Sequence, residues 1–224
     1  MKRIAIYDMD KTITRSPTWT RFLLHYARHH APHRLALLPA AAAFALGHPM
    51  RLIGRGTLKQ ATHRLLIGTR TPPERIARAA HSFAQRERRD RLFPAALAQI
   101  AADRAAGYAI VIATASPRFY ADAIGLAVGA DAVIATETAR DAHGRVLPRL
   151  VGANCYGQAK LDRIAAWLAE EGCTRSKTHI RFYSDHISDA PTFAWADEAF
   201  VINPGTALAA LAARSGWRRL DWSR

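Results

Sequence analysis

Cysteine is scarce: the chain of 224 residues holds only Cys155 and Cys173. Two are too few for a disulfide framework and fit a reducing compartment. Acids are also few. The 18 Asp and Glu face 32 Lys and Arg, a formal net charge of +14. That imbalance favours an anionic partner: phosphate, nucleic acid or an acidic membrane surface. Long apolar runs are missing. Residues 35–46 are uncharged and alanine-rich, but Pro39 breaks them, and they fall short of the roughly 20 residues a membrane-spanning helix needs. At the N-terminus only four uncharged residues separate Lys2-Arg3 from Asp8. This segment is therefore not expected to be a signal peptide, and the expected location is the cytoplasm. Half of the residues are apolar, which argues against long-range disorder.

The charge is unevenly placed. Residues 15–90 carry 14 Lys and Arg against three acids (Glu74, Glu87 and Asp90), a net +11 of the chain's +14. Seven of the ten histidines lie there too. A shift of this size marks a separate module.

The pattern of apolar residues separates the two parts. Residues 3–7 form a short apolar run that reads as a buried strand. From Trp19 to about Arg89 the texture is helical, with breaks at Pro32, Pro39, Gly47-His48-Pro49, Gly54, Gly68 and Pro72-Pro73. Four helices are predicted, near 18–30, 34–46, 56–67 and 73–89. Thr71 is expected to cap the last, with proline in its first turn. Beyond residue 91, strands alternate with helices. Strands are predicted at 108–113, 131–135, 179–183 and 199–202, and helices at 94–106, 117–128, 158–171, 188–196 and 206–214. The helices at 94–106 and 158–171 should stop at Gly107 and Gly172. A hairpin-like turn falls at Asp141-Ala-His-Gly144. Such alternation means an α/β fold: a doubly wound parallel sheet covered on both faces. The expected organisation is an α/β core of residues 1–14 and 91–224, interrupted by a helical insert of 15–90. The insert leaves directly after the first strand. Ligands in such sheets bind beyond the carboxyl ends of strands, so the insert should cover the site.

Chemistry-bearing residues sit at those ends. Asp8 and Asp10 follow the first strand, close enough to need a cation or a shared proton. Thr114 and Ser116 follow the second, where a hydroxyl can bind an oxyanion or merely cap a helix. Lys160 opens a helix after Gly157, and Asp185 and Asp189 follow the fourth strand. Each signal alone has a plain structural reading. Together they gather four aspartates, a hydroxyl and a lysine at one edge of one sheet. An all-oxygen donor set of this kind suits Mg²⁺ rather than zinc.

The ordered set Asp8-x-Asp10-x-Thr12, Thr114, Lys160 and Asp185-x-x-x-Asp189 resembles the haloacid dehalogenase superfamily, in its phosphoserine phosphatase-like branch. A helical cap inserted after the first motif is that branch's arrangement. The resemblance implies that Asp8 is a nucleophile forming an aspartyl-phosphate. It makes Asp10 the general acid and base, whose carbonyl also holds the metal. Thr114 and Lys160 would bind phosphoryl oxygens. Asp8, Asp10 and Asp185, with Asp189 at or next to them, would form the Mg²⁺ site. The chain departs from phosphoserine phosphatases where substrate is read. Thr14-Arg-Ser-Pro-Thr-Trp19 has no acid where theirs carries a glutamate, and Thr114-Ala-Ser116 replaces their Ser-Gly-Gly.

The expected function is therefore a Mg²⁺-dependent phosphatase acting on a small phosphate monoester through an aspartyl-phosphate. A basic cap would select the substrate. An alternative substrate is a lipid phosphate of the phosphatidylglycerophosphate type. For that, the apolar stretch 35–46, flanked by Arg28, Arg34, Arg51 and Arg55, would touch the inner, anionic membrane face. The plainer reading of that stretch is a core helix of the cap. A non-catalytic anion-binding protein is a further alternative, since the +11 segment also suits nucleic acid. The complete catalytic set argues against it and against a nucleic-acid partner. Transfer of the phosphoryl group to an acceptor other than water stays open, as does the oligomeric state. His25, His29, His30 and His33 lie among arginines without an acid, which favours a basic helix face over a zinc site. Gly54-Arg-Gly56-Thr-Leu-Lys59 has the wrong spacing for a P-loop.

Overall fold

A computed structural model describes residues 1–47 and 54–223. The predicted break at His48-Pro49, and Arg51 with it, lie outside the described residues. Among the described residues seven strands form one sheet in the order β4-β3-β2-β1-β5-β6-β7. They are β1 (Lys2–Tyr7), β2 (Ala109–Pro117), β3 (Ala132–Arg140), β4 (Val146–Val151), β5 (Thr178–Ser184), β6 (Glu198–Ile202) and β7 (Arg218–Leu220). All neighbours pair in parallel except β3 and β4. The α/β class read from the sequence holds, with one antiparallel edge.

β1 owes its central place to an unbroken apolar run, buried on both faces. Its alternate residues feed two layers. Ala5 and Tyr7 join one core, with Tyr183 and Phe200, and Ile4 and Ile6 join the other, with Val111, Ala113 and Phe182. Tyr7 lies opposite Ile112 of β2 and Tyr183 of β5, so the three strands reach the carboxyl edge at the same level. Chain order reverses between β1 and β5, and a doubly wound sheet opens its crevice at that switch point.

The helices between β1 and β2 are α1 (Trp19–His30), α2 (Leu38–Gly47), α3 (Arg55–Leu66), α4 (Pro73–Asp90) and α5 (Pro94–Ala105). A 3₁₀ turn over Pro32–Leu37 precedes α2. Proline 39 was expected to break a helix at 34–46. Instead it sits in the first turn of α2, where its missing N–H leaves nothing unsatisfied. Helices α1 and α4 bury stripes at helical spacing: Phe22, Leu23, Tyr26 and Ala27 on one, and Ile76, Ala79, Ala80, Phe83 and Ala84 on the other. Phe22 stacks on Tyr120 of α6 (Arg118–Val128) at 4.6 Å and meets Phe83 edge-on at 5.3 Å. These helices therefore continue the Tyr7 layer.

The chain enters and leaves this helical stretch along paired backbones. Arg15 N–H donates to Arg91 O at 2.9 Å, and Phe93 N–H to Ile13 O at 3.0 Å. Thr71 does not cap α4, whose N-cap position is Pro72. Its backbone instead exchanges hydrogen bonds with Val146 of β4 at 3.0 and 2.8 Å.

Beyond α6 come α7 (Gln158–Glu170), α8 (Ala190–Trp195) and α9 (Thr206–Ser215). Gly125 lets α6 lie against β3, because a Cβ there would fall 2.4 Å from Val133 Cγ2. Three expectations change in this half. β3 runs on to Arg140, and its partner β4 completes the predicted hairpin around Asp141–Gly144. The predicted helix at 188–196 opens with a 3₁₀ turn over Ile187–Asp189. β7 was not expected, since Arg218-Arg-Leu carries no alternation to read.

Candidate active site

Each predicted residue stands where an element ends. Asp8 is the first residue beyond β1, and its N–H donates to Tyr183 O at 2.8 Å. Lys11 takes φ = 61°, an uncommon value for a side-chain-bearing residue, and turns the chain back after Asp10. Thr114 lies near the end of β2, and Asp185 directly follows β5. Gly157 has φ = 60°, a conformation glycine adopts freely, and it launches α7 so that Lys160 falls in its first turn.

All six residues, Asp8, Asp10, Thr114, Lys160, Asp185 and Asp189, line one cavity of about 270 Å³. At its base Lys160 is 2 % exposed. Its Nζ donates to Asp8 Oδ1 at 2.8 Å and to Asp189 Oδ2 at 2.6 Å. Burial opposes the ammonium charge, but Asp189 and Asp8 outweigh it and hold Lys160 above the usual lysine range. Burial pushes Asp8 up while the Lys160 ammonium bonded to it pulls the other way, and burial pushes Asp185 up to about 6. Ser184 Oγ also donates to Asp189 Oδ2, at 2.6 Å. Among the described residues Asp189 Oδ1 is buried without a hydrogen-bond partner.

Asp10 is held differently. Its Oδ1 accepts from the Thr18 N–H at 2.8 Å and the Thr18 hydroxyl at 2.7 Å, and its Oδ2 accepts from Ser116 Oγ at 2.9 Å. The side chain thus ties the start of α1 to the end of β2. Thr114 Oγ1 accepts from Ser116 N–H at 3.1 Å.

The sequence reading missed the rest of the wall. Arg55, at the start of α3, lies 4.1 Å over the Tyr156 ring, and the Tyr156 ring is 5.6 Å from that of His186. Both residues line the cavity with Lys11. Lys59, one turn on from Arg55, donates to Ala115 O and, at 2.7 Å, to Asn154 Oδ1. Gly54 to Lys59 therefore serves as a helix start, and its basic side chains were the available signal.

The donor set fits a hard cation. Asp8 is buried and Asp185 half-buried on one cavity, and among the described residues the ammonium bonded there, that of Lys160, is shared between Asp8 and Asp189. The orphaned Asp189 Oδ1 adds negative charge without a donor. Among the described residues no three His, Cys, Asp or Glu side chains are grouped to hold a metal by themselves. A cation here would rest on the Asp8 and Asp185 carboxylates and the Asp10 carbonyl, oxygen donors that suit Mg²⁺.

The model of the haloacid dehalogenase-like hydrolase family matches residues 5–194. A histidinol-phosphatase of Neisseria meningitidis is 24% identical over 230 residues, covering 99% of this chain and all of that one. A Bordetella pertussis protein of unknown function superimposes with a TM-score of 0.86 at 22% identity, over 99% of both chains. A probable phosphoserine phosphatase of Vibrio cholerae gives a TM-score of 0.64 at 13% identity, over 94% of this chain and 58% of that one.

Proposed function

The chain belongs to the haloacid dehalogenase-like hydrolases, and on that premise we propose that it is a Mg²⁺-dependent phosphatase working through an aspartyl-phosphate. One observation carries the proposal: Lys160, buried at the cavity base, is hydrogen-bonded to Asp8 and Asp189 at once. In this reading Asp8 attacks phosphorus, and the bond to the substrate alcohol breaks. Asp10 gives its proton to the departing oxygen. Water then attacks the phosphoryl group and passes a proton to Asp10, and phosphate leaves as the bond to Asp8 breaks. Lys160 and Thr114 bind the phosphoryl oxygens, and Asp189 positions Lys160. Mg²⁺, held by Asp8, Asp185 and the Asp10 carbonyl, supplies the charge that lets a phosphate dianion approach a carboxylate. Both Asp10 oxygens are engaged by Thr18 and Ser116, so proton transfer requires this carboxyl to turn into the cavity.

Residues 15–90 act as a cap over a core of 1–14 and 91–224, and they choose the substrate. The cap side contributes Pro17 and Arg55, and among the described residues the acids on the wall are the four aspartates already assigned. Among the described residues an amine, such as that of a phosphorylated amino alcohol or amino acid, would find no carboxylate beyond those four. The substrate is a phosphomonoester whose remainder is neutral or anionic.

Hydrolysis of an aryl phosphate tests the reaction. Turnover should appear with Mg²⁺, vanish with EDTA, and be absent in Asp8→Asn while the circular dichroism spectrum stays unchanged. Wild-type rates from Asp8→Asn would overturn the proposal. Adding an alcohol and analysing products separates transfer from hydrolysis.

A lipid phosphate is the second substrate reading. It is favoured by Leu37, Phe44 and Leu46, exposed on or beside the uncharged helix α2. Among the described residues no helix is long and apolar enough to cross a membrane, so contact would be interfacial. Release of phosphate from phosphatidylglycerophosphate vesicles, lost in Phe44→Asp/Leu46→Asp, is the expected result.

A further inference from the structure

A second basic pocket, sharing no lining residue with the catalytic cavity, lies between α1 and α4. Its volume is about 120 Å³, and four guanidinium side chains line it: Arg21, Arg28, Arg86 and Arg91, with the imidazoles of His25 and His29. The one acid in its wall is Glu87. Glu87 is 1 % exposed and is bonded to Arg21, which also donates to Ser16 Oγ at 2.9 Å. Among the described residues the side chains of Arg28, Arg86 and Arg91 make no hydrogen bond or ion pair. Arg28, Arg86 and Arg91 are exposed, so four positive charges rim one small surface pocket with one carboxylate, which is bonded to Arg21 and also feels Arg91.

Like charges this close repel, and α1 contains no acid that could relieve them. His25 and His29, with rings 4.8 Å apart, add donors if protonated and no negative charge in either state. The arrangement lacks a counter-ion. Guanidinium groups present forks of N–H donors that match the oxygens of a tetrahedral oxyanion. The volume suits one phosphate group and not a nucleotide. None of these residues lines the catalytic cavity.

We propose that this pocket is a second site, which binds a phosphate-sized dianion independently of catalysis. Free inorganic phosphate and the terminal phosphate of a membrane lipid share that chemistry. Isothermal titration of the full chain with inorganic phosphate in EDTA tests it, because the catalytic carboxylates without metal repel the ion. One phosphate per chain should bind. Arg28→Ala/Arg86→Ala should weaken binding at least tenfold while Mg²⁺-dependent turnover of an aryl phosphate stays within about twofold. No binding by the wild type, equal affinity in the variant, or loss of turnover together with binding would each overturn the proposal. Cosedimentation with phosphatidylcholine vesicles, with and without phosphatidic acid, identifies the source. Capture on phosphatidic acid that added phosphate reverses assigns the site to lipid, whereas binding of soluble phosphate alone assigns it to the free ion.

Discussion

Lys160 holds one positive charge between two buried carboxylates, so its removal strands both. Breaking a buried pair in this way typically costs about 3 to 5 kcal/mol. Lys160→Met should lose that much in a denaturant titration near neutral pH, and its turnover with it. A stability change below about 1 kcal/mol would contradict the ion-pair geometry. His63 makes a second, pH-dependent prediction. It is 1 % exposed, burial pushes it down to about 4, and its Nε2 has no partner among the described residues. Above about pH 6.5 it is neutral both folded and unfolded, so it adds no pH dependence there. As pH falls from 6.5 to 4 the unfolded chain takes up the extra proton, and stability drops by roughly 3 kcal/mol from this residue. His63→Leu should lose less stability than the wild type between pH 7 and pH 4.5, as read by denaturant midpoints. At this scale the sequence disclosed the residues that end strands, since Asp8, Thr114 and Asp185 follow apolar runs. It did not disclose Thr18, nor that Ser116 would bond Asp10, because a hydroxyl that bonds a carboxylate from a distant segment looks like any helix cap.

Helix α3 reaches the α/β part through Lys59, whose ammonium burial pushes down to about 8. Its two acceptors, Ala115 O and Asn154 Oδ1, each lie 2.8 Å from the Thr136 hydroxyl, which has a single proton to give to one of them. Lys59→Met therefore leaves one of the two acceptors without a donor, while it removes a buried charge. Stability should fall by about 1 to 3 kcal/mol for the acceptor left unpaired, measured by thermal melting. The KM for an anionic aryl phosphate should rise several-fold, because Arg55, four residues earlier on the same helix face, loses its anchor. An unchanged KM would show that α3 is held by other contacts. Most helices were legible from their apolar spacing and from proline positions. The exceptions are informative. Pro39 enters a helix start as easily as it ends one, and Thr71 gives up capping because Val146 offers its backbone a ladder pair.

Across the whole molecule the helical insert is joined to the rest at its root, through Ile13–Phe93 and Arg15–Arg91, and at its far end, through Thr71–Val146. The packing of Phe22 on Tyr120 adds a shared core. Calorimetry should show one unfolding transition with equal calorimetric and van't Hoff enthalpies. Two separated peaks would mean that the insert melts alone. The parallel sheet was readable from alternating runs, but β7 and the length of β3 were not, since edge pairing depends on what lies beside a segment. The strand order has a consequence for synthesis. Of the seven described strands β1 leaves the ribosome before the others, yet its partners begin only at Ala109 and Thr178. At translation speeds of about 5 to 20 residues per second, its second edge waits roughly 10 to 30 s for β5. That interval, more than any later stage in the life of the finished protein, is when the chain is open to aggregation.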